Sequence, residues 1–218
     1  MRMYGKAVRL LATTALLAGF VASSQAALIS VVPGSQTIAP GGTANIDIVL
    51  SGLGANEVVG GFSFLLSYNN AILGAPATFT ANPGNVMGAA PLDLSGGFAG
   101  LGGSPLDVFV LADAAISSAA LKTAEGAGFT LATVHLTGLT EGLSALTLSV
   151  SPSQGAFLSD FLGEATIPTV AANGSVCVDD PATPGNRCIS ATVPEPGTLI
   201  LSLLGAVAFI GGRRKARA

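Results

Sequence analysis

The chain offers little to a chemist looking for a reaction. His135 is its one imidazole. It lies in GFTLATVHLTGL, where alternation puts Thr133 and Thr137 on the same side of an extended strand, so a solvent-facing strand residue is expected rather than a general base. Asp47, Asp93, Asp107 and Asp160 are candidates for a carboxylate pair, the arrangement that cleaves glycosidic bonds when two acids stand roughly 5–9.5 Å apart. Nothing in their spacing brings two of them together. There is no G-x-S-x-G elbow, no H-E-x-x-H pair and no phosphate-cradling glycine loop. Tryptophan is absent and Tyr68 is the one tyrosine beyond the first 26 residues, so a platform for stacking sugars would need phenylalanines, which the core claims first. The expectation is a protein without catalytic residues.

The elements that would position these side chains are strands. NIDIVL places Ile46, Ile48 and Leu50 on one face, FSFLLSY does so with Phe62, Phe64, Leu66 and Tyr68, and LTLSV with Leu146, Leu148 and Val150. Residues 28–32, 77–80, 106–111, 129–137, 165–170 and 175–178 complete a set of nine short strands separated by Gly, Pro, Asn and Ser, the pattern of an all-β sandwich. In the His135 strand the parity changes between Phe129, Leu131 and Val134, Leu136, which predicts a β-bulge near Ala132 and Thr133. Ala114–Leu121 is the one interior stretch with helical propensity. Residues 82–104 are a long Gly- and Pro-rich loop.

The ends carry addresses. Arg2, Lys6 and Arg9 precede an apolar run from Leu10 to Val21 and a small-x-small site at Ser24-Gln25-Ala26, the three parts of a secretory signal peptide, with cleavage expected between Ala26 and Ala27. As a retained helix, twelve apolar residues would cover only about 18 Å of a roughly 30 Å hydrocarbon core. At the other end, uncharged Thr198–Gly212 is followed by Arg213, Arg214, Lys215 and Arg217, cations that stay on the cytoplasmic side and leave the bulk of the chain across the membrane. Fifteen residues reach about 22 Å, a marginal anchor.

Between these ends, Ala27 to Thr192 keeps two cations, Lys122 and Arg187, against eleven acids, a formal charge of −9. Such a surface repels phosphate backbones, which argues against nucleic acid, and attracts cations, calcium among them; no other cofactor is expected. Cys177 and Cys188 bracket CVDDPATPGNRC, and in an exported chain a disulfide is the natural reading, with free thiols or a metal site as alternatives. No further Cys or His lies near enough to complete a zinc site. Asp179, Asp180 and Asn186 lack the spacing of a calcium loop, and metal ligands are left unassigned.

Val193-Pro194-Glu195-Pro196, the apolar stretch and the basic cluster together resemble the PEP-CTERM sorting signal of Gram-negative bacteria. The resemblance implies recognition by an exosortase, an integral membrane cysteine transpeptidase that cuts near Pro-Glu-Pro. The two prolines favour an extended tripeptide that a protease can grip. VVPGSQTIAPGGTANIDIVLSGLG, FSFLLSYNNAILG and GFTLATVHLTGLTEGLSALTL resemble cohesin-like domains, departing from them at Tyr68-Asn69-Asn70, where an Asp-Pro commonly follows the aromatic residue. That resemblance implies a nine-stranded jelly-roll related to carbohydrate-binding modules; dockerin binding by cohesins proper is a fold-level analogy only. The expected organisation is a signal peptide over 1–26, a cohesin-like sandwich over 27–180, a linker over 181–192 and a sorting signal over 193–218. The implied role is an exported structural or adhesive protein of the cell surface or exopolysaccharide matrix. Its alternatives are carbohydrate binding, cohesin-type protein binding and, least supported, glycoside cleavage.

Overall fold

The computed structural model describes residues 26–98, 105–152, 154–180, 182 and 188. The expected signal peptide up to Gln25, the sorting motif Val193–Pro196 and the basic cluster Arg213, Arg214, Lys215 and Arg217 lie outside the described residues.

The chain forms β1 (Ala27–Val32), β2 (Ser35–Ile38), β3 (Thr43–Ser51), β4 (Val59–Ser67), β5 (Leu73–Ala81), β6 (Leu92–Asp93) and β7 (Leu106–Leu111). Helix α1 (Ser118–Glu125) follows, then β8 (Gly128–Gly138), β9 (Gly142–Ser149), β10 (Leu158–Asp160), β11 (Thr169–Ala172) and β12 (Gly174–Val178). Two sheets pack face to face, one in the order β11-β1-β3-β8-β5 and the other β2-β12-β9-β4-β7-β6, with β10 extending the second along β4. The pairs β1/β11 and β2/β12 are parallel. Both the first and the last parts of the chain switch sheets, between β1 and β2 and between β11 and β12, and so stitch one side of the sandwich. The crossing is tight: Ser175 N donates to Gly34 O at 3.0 Å, and a Cβ on Gly174 would lie 2.6 Å from Val31 Cγ1.

The core is what the period-two pattern requires. Ile46, Ile48 and Leu50 from β3 meet Phe62, Phe64 and Leu66 from β4, all at 1 % exposure or less. Phe62 packs edge-on to Phe129 of β8, with ring centroids 6.4 Å apart. The bulge is present one residue earlier than expected. Ile48 pairs with Ala132 and Val49 with Thr130, so Leu131 has no partner across the ladder, and Phe129, Leu131, Ala132, Val134 and Leu136 all turn inward.

Three local readings change. Helix α1 begins at Ser118 rather than Ala114, because Asp113 and Ser117 take the preceding backbone into turns: Asp113 Oδ1 accepts from Ala115 N at 2.9 Å, and Ser117 Oγ accepts from Ala120 N at 3.2 Å as the N-cap. The strand expected over 165–170 is displaced to Thr169–Ala172, since Asp160 Oδ1 accepts from Glu164 N and Ala165 N in a turn and Pro168 has no N–H to give. The Gly-rich loop is partly built: β6 forms there, left-handed Asn82 (φ 47°) holds Met87 N through its side-chain oxygen, and Met87 is fully buried. With these short pieces the nine expected strands become twelve among the described residues.

Candidate functional site

The stretch LDVFVL is apolar in both parities, and β7 uses one for the core and one for the outside. Leu106, Val108 and Val110 are buried; Asp107, Phe109 and Leu111 point outward and are half-buried. β6 pairs Leu92 with Leu111, and Leu94 N donates to Phe109 O at 2.8 Å, which sets two more leucines beside them at 52 % and 50 % exposure. On β4 the outward positions are Gly61, Ser63, Leu65 and Ser67, and on β9 Leu143, Ala145, Thr147 and Ser149. Asp107 is the one charged side chain among the outward positions of β4, β7 and β9. Ser63, Ser67, Thr147 and Ser149 keep the middle of the face polar, so the exposed apolar cluster is Phe109, Leu111, Leu92 and Leu94, the kind of patch that marks an interaction surface.

This face is also grooved. A cleft of about 270 Å³ runs between Phe109 and Leu111 on one side and Gln154, Ala156 and Phe157 on the other, floored by Gly61 and Ser63. Gly61 leaves room for the Leu111 side chain, whose Cδ2 would lie 2.6 Å from a Cβ at this position. A second cleft of about 350 Å³ shares Leu111, Ser159 and Gly163 with the first and extends to Phe161 and Leu162, the latter 71 % exposed.

The acids considered for catalysis serve the backbone or stand apart. Asp47 lies on the opposite sheet and accepts from Thr133 Oγ1 at 2.7 Å. Asp93 Oδ1 accepts from Ser95 N at 2.9 Å. Asp107 keeps a buried Oδ1 without a hydrogen-bond partner. The second cleft holds two carboxylates, Asp113 and Asp160, yet Asp113 accepts from Ala115 N and Ala90 N, and Asp160 Oδ1 from two turn N–H groups. His135 faces outward with Thr133 and Thr137, as expected, its Nδ1 2.7 Å from Asn45 Oδ1. Among the described residues no three His, Cys, Asp or Glu side chains gather as a metal-ligand set.

Two covalent or titratable features complete the picture. Cys177 of β12, beside Leu143 and Thr37, is disulfide-bonded to Cys188 with Cα atoms 5.6 Å apart, which closes the free-thiol and metal alternatives. Glu125, unremarked in the sequence, is 1 % exposed at the end of α1, where both carboxylate oxygens accept from Val59 N at 3.0 and 3.2 Å. Lys122 on the same helix donates instead to Gly54 O at 2.7 Å and Gly126 O at 3.3 Å. Burial pushes the Glu125 carboxyl up to about 7, against the smaller downward pulls of the Val59 N–H and the Lys122 charge. In AEGAGF a glutamate before glycine reads as an exposed last helical turn, so no pattern in the sequence flagged it.

Three solved structures set the fold. The sandwich aligns at a TM-score of 0.53 and 16 % identity with a type II cohesin domain from the cellulosome of Acetivibrio cellulolyticus, covering 70 % of this chain and 95 % of that one. It aligns at 0.52 and 15 % with the type II cohesin dyad of the adaptor ScaA scaffoldin from the same organism, covering 72 % and 49 %, and at 0.51 and 15 % with the seventh ScaB type I cohesin of Pseudobacteroides cellulosolvens, covering 73 % and 96 %. The fold is that of a cohesin. Residues 192–215 match the PEP-CTERM protein-sorting motif. No curated protein matches the chain. The protein therefore joins a cohesin-like sandwich to a PEP-CTERM tail, and that tail implies export and membrane anchoring before exosortase cleavage. No helix among the described residues is long and apolar enough to cross a membrane, and the apolar stretch of the tail lies outside them.

Proposed function

We propose that this is an exported, non-catalytic binding protein, cut from its membrane tail by an exosortase and held at the cell surface or in the exopolysaccharide matrix by contacts of its cohesin-like domain. The observation that carries the reading is the outward apolar cluster of Phe109, Leu111, Leu92 and Leu94 beside two clefts, on a chain that carries a sorting motif. Cohesin-like domains bind partner proteins, and this face supplies aromatic and leucine anchors for such an interface, with the cleft carboxylates Asp113 and Asp160 already engaged by backbone N–H groups. In this reading the signal peptide is removed between Ala26 and Ala27, which leaves Ala27 as the first residue of β1. The cationic residues from Arg213 onward stay on the cytoplasmic side until the exosortase acts near Val193–Pro196. The linker runs over 181–192.

The test is the intact mass of the protein recovered from medium, outer membrane and inner membrane, for the natural chain and for Phe109→Asp. The expected result is a processed mass lacking Arg213–Arg217 outside the inner membrane, with Phe109→Asp processed equally but released to the medium. Extracellular material that still carries the terminal arginines would overturn the sorting part, and equal retention of Phe109→Asp the binding part. Calcium binding is a further proposal from the −9 charge. A higher melting temperature in calcium supports it, and equal values in calcium and EDTA end it.

A further inference from the structure

One edge of the sandwich is long and half protected. One sheet ends at β11 and β5, the other at β2 and β6, and three of these edges are short: four residues in β11, four in β2 and two in β6. β5 has nine. Its first half is interrupted by a register shift between Gly74 and Thr78 and by Pro76, which has no N–H, devices that keep an edge from pairing. The second half holds regular register with β8 from Thr78 to Ala81 and carries neither a charge nor a proline. Asn82 N donates to Leu131 O at 2.8 Å, so by alternation Thr80 and Thr78 also turn their backbone groups to β8, while those of Ala77, Phe79 and Ala81 turn to the open side. Among the described residues no hydrogen bond reaches those open groups. The side chains of the same three residues pack half-buried against the core, with the Phe79 ring 5.9 Å from that of Phe98. A further strand laid along this edge would satisfy the backbone and finish covering that apolar side.

We infer that this strand is β5 of a second copy of the chain, paired antiparallel about a two-fold axis at Phe79. The sequence of the edge selects that partner. Ala77-Thr78-Phe79-Thr80-Ala81 reads the same in both directions, so two copies in antiparallel register set each residue against its own kind: Phe79 on Phe79, Thr78 on Thr80, Ala77 on Ala81. The palindrome and the open backbone groups share one centre. With Phe79 facing Phe79, residues 77, 79 and 81 all fall at hydrogen-bonded positions and exchange about six bonds, two for each facing pair. Aromatic pairs and Thr–Thr pairs are among those that stabilise neighbouring strands, and no charge in β5 sets acid against acid between two acidic chains. The pairing joins two five-stranded sheets into one. A contact of a few residues a side is small, so the dimer is weak, in the micromolar range, and forms where copies are crowded together at a surface or in a matrix. The edge belongs to the sheet opposite the one proposed above for partner proteins, and the two readings fail independently.

The test is sedimentation velocity of the exported protein over about 5–500 µM, where a monomer–dimer equilibrium is expected. Phe79→Lys sets two like charges against each other at the axis and should raise the dissociation constant by about tenfold or more. Mixing it with Phe79→Glu should restore pairing between the two variants, which a merely structural effect of either substitution would not do. Should either variant melt lower than the natural protein, Ala81→Pro takes its place: it removes an N–H from the open side and none from the ladder with β8, and the same weakening is expected. Phe109→Asp, on the other sheet, should dimerise as the natural protein does. A monomer over the whole range, a dimer that Phe79→Lys and Ala81→Pro leave unchanged, a mixture of stable variants no more associated than its components, or a dimer that Phe109→Asp abolishes overturns the inference.

Discussion

Glu125 makes folding stability depend on pH in a direction opposite to that of most acids. Its carboxyl rises from 4.5 to about 7 in the folded protein because burial disfavours the charge. Between those values the folded chain holds a proton that the unfolded chain has released, so stability is full below pH 4.5 and falls as pH rises toward 7. The shift is worth at most about 3.5 kcal/mol, at about 1.4 kcal/mol per pH unit. The quantity to measure is the difference between the natural protein and Glu125→Gln, in which every contribution the two share cancels. Glutamine keeps an oxygen for Val59 N–H and cannot ionise. Urea denaturation at pH 5, 6, 7 and 8.5 is expected to show the two proteins close together at pH 5 and the variant ahead by about 2–3 kcal/mol at pH 8.5. Parallel curves over the whole range would refute the reasoning and place the proton elsewhere.

Phe64→Ala removes a fully buried ring stacked 6.5 Å from Phe62 and should cost about 3–5 kcal/mol in the same urea assay, while Leu94→Ala, half-exposed, should stay within about 0.5 kcal/mol. Ser117→Ala removes the cap of α1, with an expected loss of about 1 kcal/mol and faster amide exchange across residues 118–125.

Period-two alternation names the core because the inside of a sandwich admits one parity only; β3 and β9 obey it, at Ile46 and Leu146 among others, while β4 obeys it from Phe64 onward and also buries Val59 and Ser63 of the other parity. The face proposed for binding is less legible for the same reason. LDVFVL satisfies both parities, and only the pairing of β7 with β4 and β6 decides that Phe109 and Leu111 are the outward set. Turn chemistry overrode propensity at Ser117 and Asp160, whose side chains offer the backbone a local acceptor that a helix or strand pattern does not register. Glu125 was invisible because its burial depends on Val59, 66 residues away.

The disulfide bears on sorting as well as on stability. β12 lies between β2 and β9, so the sheet is closed only when Val178 is in place, and fourteen residues then separate it from Val193. Fully extended they would span about 46–50 Å. With Cys188 bonded to Cys177, only four residues, 189–192, separate the bridge from Val193, a span of at most about 13–14 Å, so the sorting motif cannot lie far from the folded domain. Crowding at that distance should slow removal of the tail. Cys177→Ser/Cys188→Ser is therefore expected to be processed faster in the host, measured by pulse-chase and intact mass. Inserting about ten Gly and Ser residues after Cys188 should give the same acceleration with the bridge intact, since it restores a flexible reach of similar length. If the insertion leaves the rate unchanged while the double variant is faster, the bridge acts through domain stability and not through spacing; if neither changes it, the tether is long enough as it stands and clearance does not limit the enzyme.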